Sequence, residues 1–111
     1  MAYDEELAER IRELIEPGPE LTEKKMFGGL AFLIGGNMAV AASGKGGLLV
    51  RIDPEDGNDL LEREFVHSMV MGGREVDGWL RVTADAVADD ATLREWVDRG
   101  IAYARSLPAK A

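Results

Sequence analysis

The sequence predicts one α+β domain, a two-layer sandwich in which helices at the N-terminus, middle and C-terminus cover a mainly antiparallel sheet of about five to six strands. Three observations carry this expectation. Residues 24–52 hold no carboxylate, in a chain of 111 residues with a formal net charge of -8. That same block is an almost unbroken apolar run cut by glycine pairs at hairpin spacing, Gly28-Gly29, Gly35-Gly36 and Gly46-Gly47. Helical periodicity is confined to the segments outside it.

Taken in order, residues 4–16 form the first helix. Leu7, Ile11, Leu14 and Ile15 recur on one face, and Asp4, Glu5 and Glu6 suit the positive end of the helix dipole. Pro17-Gly18-Pro19 stops it, because proline cannot continue the hydrogen-bond ladder. A strand follows over 22–27, and Gly28 and Gly29 turn the chain. The run 30–34 pairs with 38–42 through Gly35 and Gly36, since a tight hairpin needs the positive φ that glycine adopts without steric cost. Alternation then puts Met38, Val40 and Ala42 on one face and Ala39, Ala41 and Ser43 on the other. In the next strand Leu48, Val50 and Ile52 oppose Leu49 and Arg51. The bulky face is expected to meet the helices, leaving a shallow second face that includes Arg51.

Asp53 is read as an N-cap, with Pro54 at the first helical position and Leu60, Leu61 and Phe65 as core contacts of the middle helix. Residues 66–78 read as two short extended pieces turned at Gly72 and Gly73. Residues 79–83 form the last strand, with Leu80 and Val82 facing one side and Trp79 and Arg81 the other. The final helix starts near Asp89 or Asp90, buries Leu93, Trp96, Val97, Ile101 and Ala104, and closes at Pro108.

Composition excludes several classes of function. The chain has no cysteine, which removes disulfides, thiolate metal sites and thiol nucleophiles. With one histidine, His67, no metal and no cofactor are expected. A single domain is expected over residues 1–111, because two independent cores would each be too small. The acidic start, Met1 to Leu7, is unlike a signal peptide, and no apolar run approaches the ~20 residues of a membrane span. A cytoplasmic protein without membrane contact is therefore expected. Net charge is -6 over residues 1–23, +4 over 24–52 and -6 over 53–111, so a broad phosphate-binding face is not expected and nucleic acid is the weakest candidate partner. The glycine-rich turn at 44–47 fits neither nucleotide-binding fingerprint, and hairpin geometry accounts for it. The acidic run 53–59 cannot be aligned with a calcium loop, and helix capping accounts for it.

The phrase Met26-Phe27-Gly28-Gly29, followed by a glycine-turned apolar hairpin and by Leu48-Leu49-Val50-Arg51, resembles the N-terminal domain of the TfoX/Sxy family, whose founding members regulate natural competence in bacteria. Gly73-Arg74, Gly78-Trp79 and the last helix around Trp96 are similar to the small stand-alone members. The resemblance spans nearly the whole chain and implies an α+β fold in a family whose isolated domain has no established enzymatic activity. Full-length regulators carry a second, helical domain for their regulatory or nucleic-acid contacts, and these 111 residues are expected to contain only the first.

One candidate site follows from strand alternation. Arg51, Trp79 and Arg81 are expected on the same sheet face, where a basic and aromatic patch suits an anionic peptide, a small carboxylate or a subunit. The leading expectation is a non-enzymatic protein-interaction or regulatory domain whose partner is another protein or a second copy of the chain, through the second sheet face or an edge strand. The alternative is a small anionic-ligand binder or an enzyme that uses the same three residues.

Overall fold

A computed structural model describes residues 5–15, 21–26, 29–44, 46–71 and 73–108. The chain runs as α1 (Glu5–Leu14), β1 (Leu21–Met26), β2 (Gly29–Ile34), β3 (Asn37–Ala42), β4 (Leu48–Arg51), a 3-10 turn (Pro54–Asp56), α2 (Gly57–Leu61), β5 (Val66–Met71), β6 (Arg74–Val82), α3 (Ala84–Val87) and α4 (Asp90–Ser106). The strands form one antiparallel six-stranded sheet in the order β1-β2-β3-β4-β6-β5. Hairpins join β1 to β4 as neighbours. The segment between β4 and β5 then steps past one strand, and β6 returns into the gap.

Local chemistry explains most of these elements. Gly35 and Gly36 both have positive φ, 58° and 81°, as the two-residue turn between Ile34 and Asn37 requires. Gly29 opens β2, where a Cβ would stand 2.0 Å from the Ala42 carbonyl oxygen; Gly28 lies outside the described residues. The Asp53 carboxylate accepts from Glu55 N at 3.0 Å, and Asp89 accepts from both Thr92 N (3.0 Å) and Thr92 Oγ1 (2.9 Å), which satisfies donors that each helical start would leave unpaired. The bonds from Thr92 hold the Asp89 carboxyl below its usual range.

α4 lies along the sheet and buries Leu93, Trp96, Val97, Gly100, Ile101 and Ala104. Together with Leu7, Ile11 and Ile15 of the first helical segment, these side chains meet Phe32, Val40, Leu48, Val50, Leu80 and Val82 in the main core. Gly100 permits the close approach: a Cβ there would lie 2.6 Å from the Ala39 oxygen and 2.8 Å from Val40 Cγ1. Asn37, almost fully buried, donates its side-chain amide to the Pro108 carbonyl at 2.9 Å and ties the end of α4 to the start of β3.

Three expectations need correction. β3 does not alternate cleanly, because the register with β2 shifts between Phe32 and Leu33 and leaves Ala39 as an extra residue. Ala39, Val40 and Ala42 therefore belong to the helix-covered core, and Met38 joins Ala41 on the opposite face. The second face is also not a shallow open surface. Ala31, Met38, Ala41, Leu49 and Met69 form a second buried cluster with Leu33 and Trp79 packed against it; the unbranched methionines suit a surface set by small alanines because they adapt to irregular gaps. Finally, Phe65 is not a core residue: it turns the chain with φ 69° and is 45% exposed. Val66–Met71 and Arg74–Val82 are extended, the second as one continuous strand rather than two pieces, with Gly73 at positive φ between them and Gly72 outside the described residues; the short helix α3 has no counterpart among the expected elements.

Candidate functional site

Arg51 ends β4 and stands across from Trp79 of β6, while Arg81 stands across from Leu49 of β4 and His67 of β5. Alternation places Leu80 and Val82 in the main core and turns Trp79 toward the second cluster. The fold thus brings Arg51 and Trp79 into direct register and sets Arg81 one row away.

The two arginines are used differently. The Arg51 guanidinium carbon lies 5.6 Å from the centre of the Trp79 ring and 5.9 Å from that of Tyr103. Tyr103 belongs to α4, so Arg51 reaches from the sheet to the C-terminal helix and is half-buried between two aromatic rings. Each such contact is worth roughly 0.5–1 kcal/mol where solvent has access. Among the described residues no carboxylate pairs with Arg51. Arg81 instead donates to Ser43 Oγ at 3.0 Å and to the Gly46 carbonyl at 3.5 Å. It fastens the β3–β4 connection, which Ser43 and Gly47 close with a backbone bond of 3.0 Å.

Sequence reasoning did not find Tyr103 or Ser43 as partners of these arginines. Tyr103 lies beside Ala104 on α4, and only the docking of α4 against β3 and β4 brings it over Arg51. Trp79 also lines a hollow of about 80 Å³ with Pro54, Glu75 and Gly78, which is well below the several hundred Å³ of an organic-ligand pocket.

A second cation and aromatic cluster is internal to the fold. Trp96 is 1% exposed, with the guanidinium carbons of Arg63 and Arg99 at 4.9 and 5.6 Å from its ring centre. Arg63 is bidentate to Glu95, at 2.5 and 3.0 Å. This pairing holds the Glu95 carboxyl below its usual range and raises Arg63. Beside it, an open groove of about 540 Å³ runs between the Phe65 turn and α3–α4, lined by Phe65, Val66, Val82, Asp85 and Trp96 among others.

The two edges of the sheet also differ. On β1 the side chains of Thr22, Glu23, Lys24 and Lys25 are exposed, and Arg12 of α1 forks onto Glu23 with two contacts of 2.7 Å while also pairing with Glu9. Hydrogen bonding to Arg12 holds the Glu23 carboxyl below its usual range. β5, at the other edge, reads Val-His-Ser-Met-Val-Met, without a carboxylate, lysine or arginine, and Val70 is 54% exposed. Among the described residues no helix is long and apolar enough to cross a membrane.

No curated protein and no solved structure matches the chain. The family model for the TfoX N-terminal domain matches residues 13–104, from the last two residues of α1 to the last turn of α4. It takes in the six described strands and the Arg51, Trp79 and Arg81 positions, so the chain belongs to the TfoX N-terminal domain family.

Proposed function

We propose that this domain acts through protein–protein contact, as an interaction or regulatory module without chemistry of its own. The observation that carries this reading is the β5 edge: an uncharged strand at the rim of the sheet, with exposed Val70 near one end and exposed Phe65 just before the other. Natural edges are commonly blunted with charge, as β1 is here, and an edge without carboxylate, lysine or arginine is a template for strand addition. The test is a pull-down from native lysate with light scattering on the pure protein. Recovery of a bait-specific partner or stable self-association supports the reading; a strictly monomeric protein that captures nothing counts against it.

A second reading rests on Arg51. A half-buried guanidinium held between two rings, with no carboxylate partner among the described residues, suits a small carboxylate or an acidic side chain of a partner. Calorimetric titration with acetate, succinate and an acidic peptide tests it. Binding that Arg51→Gln abolishes without lowering the melting temperature supports the site, and no heat with any of them removes it. Arg51 is the informative position, because Arg81 already serves the β3–β4 connection.

A further inference from the structure

We propose that β5 is a dimerisation strand, pairing antiparallel with β5 of a second copy about a two-fold axis at Ser68. This rests on the protein-interaction reading and names its partner.

The backbone sets the register. The Phe65 carbonyl accepts from Thr83 N at 3.0 Å, and His67 registers with Arg81, so the odd-numbered residues of β5 turn their polar groups toward β6. Val66 N points the other way, where it meets the Arg63 carbonyl at 3.3 Å. The irregularity between Ser68 and Val70 puts its additional residues on β6, where 76–79 stand against Met69 alone, so β5 itself keeps alternating. The Val66 carbonyl and both backbone groups of Ser68 and Val70 are thereby directed to the open side. With Ser68 opposite Ser68 of the second copy, these two residues exchange a pair of hydrogen bonds, and each Val70 N–H reaches the Val66 carbonyl across the axis.

The side chains agree with that register. Phe65 and Val70 are the exposed large hydrophobics among the described residues. Ser68 lies midway between Val66 and Val70, so a two-fold at Ser68 sets each Val70 beside Val66 and near Phe65 of the other copy. Val70 then lies at the mouth of the groove that Phe65, Val66, Val82 and Trp96 line. One operation covers both exposed side chains reciprocally, and no formal charge on β5 meets its like across the axis. The left-handed Phe65 backbone fits such a role: a bulky residue held at positive φ costs on the order of 1–3 kcal/mol and persists where the surroundings require it.

Sedimentation and light scattering from micromolar to millimolar chain test the proposal. The expected result is reversible conversion of the 12.1 kDa monomer to a species of twice that mass. Val70→Lys, at an exposed position, should weaken association by about tenfold or more while leaving the melting temperature in place. Ser68→Pro should do the same, because its N–H faces away from β6 and proline is tolerated on such an edge; if it fails to fold, Val70→Lys decides alone. The chain has no cysteine, so Ser68→Cys offers a test of register. Facing residues of a hydrogen-bonded pair are about 5.5 Å apart at Cα, within disulfide reach, and mild oxidation should give a covalent dimer, whereas Thr22→Cys on β1 should not. A 12.1 kDa mass at every concentration, or a dimer that survives both edge substitutions, overturns the proposal. If the protein is monomeric but a lysate partner is captured and then lost in Val70→Lys, the dimer is refuted and the interaction reading stands; if neither is found, both fall.

Discussion

β1 and β5 are the two rims of one sheet, each six residues long, yet they are built on opposite rules. β1 presents Glu23, Lys24 and Lys25 to solvent and is tied back to α1 by the Arg12 fork. Another strand added there would have to desolvate those charges and compete with that ion pair. β5 has no carboxylate, lysine or arginine: Val66 and Met69 are packed inward, Ser68 is half-buried, and His67 and Val70 are exposed. On the proposal made above, the difference assigns association to the β5 side without reference to any pocket.

The largest change should come from erasing the difference. Glu23→Thr, Lys24→Thr and Lys25→Val together leave β1 without a formal charge, as β5 is, and with both rims open the chain should form species larger than a dimer, visible as a rising scattering mass with concentration. Unchanged mass would show that charge is not what closes β1.

Next in size is a change at the centre of the sheet that should leave the edges alone. Gly100→Ala gains helix propensity of nearly 1 kcal/mol but drives a methyl group into the Ala39 carbonyl oxygen. A net loss of about 2 kcal/mol is expected by chemical denaturation, from overpacking, with association of the folded protein unaffected. A more stable variant would mean that α4 can lift from β3 at little cost.

Phe65→Gly separates fold from association. Relief of the positive φ should stabilise the monomer by about 1 kcal/mol, while loss of the exposed ring weakens self-association. A destabilised monomer would show that Phe65 packs more than its exposure suggests.

The smallest effect concerns the guarded edge. Arg12→Gln removes the fork to Glu23 and should cost about 0.5 kcal/mol near neutral pH, since the pair is solvent-accessible. Glu23 has a depressed folded pKa, so its contribution is full above the ordinary glutamate value of about 4.5 and is lost as pH falls through the folded value. The acid limb of the stability profile should therefore be shallower in Arg12→Gln than in the parent chain, with the Arg63–Glu95 pair and the Asp89 cap retaining the remainder. Identical limbs would remove Glu23 from the account of this edge.

Most of the architecture was legible in the chain because it is encoded by near neighbours. Paired glycines set the β2–β3 hairpin, Asp53 and Asp89 cap their helical starts, and apolar spacing marks Leu93, Trp96, Val97, Ile101 and Ala104 as the buried face of α4. Each is a relation between residues a few positions apart, which φ preference and strand or helix period fix directly. The family resemblance was legible for the same reason, in the order of short phrases along the chain.

The tertiary structure alone decided what became of the side chains that local rules left open. Alternation assigned Met38 to the helix-covered face, but the extra residue at Ala39 carried it to the other, since a bulge reverses parity for everything beyond it. Spacing marked Phe65 as core, yet the turn into β5 rotated it outward. Arg51 and Arg81 were equivalent in the sequence; contact with Tyr103, 52 positions away along the chain, and with Ser43, 38 positions away, made one an aromatic-sandwiched cation and the other a loop fastener. Which strand became an unguarded rim was likewise invisible locally, because β6 had to enter beside β4 before β5 was left at the edge. Local geometry depends on short-range sterics that the residues carry with them, whereas exposure depends on what long-range packing brings alongside.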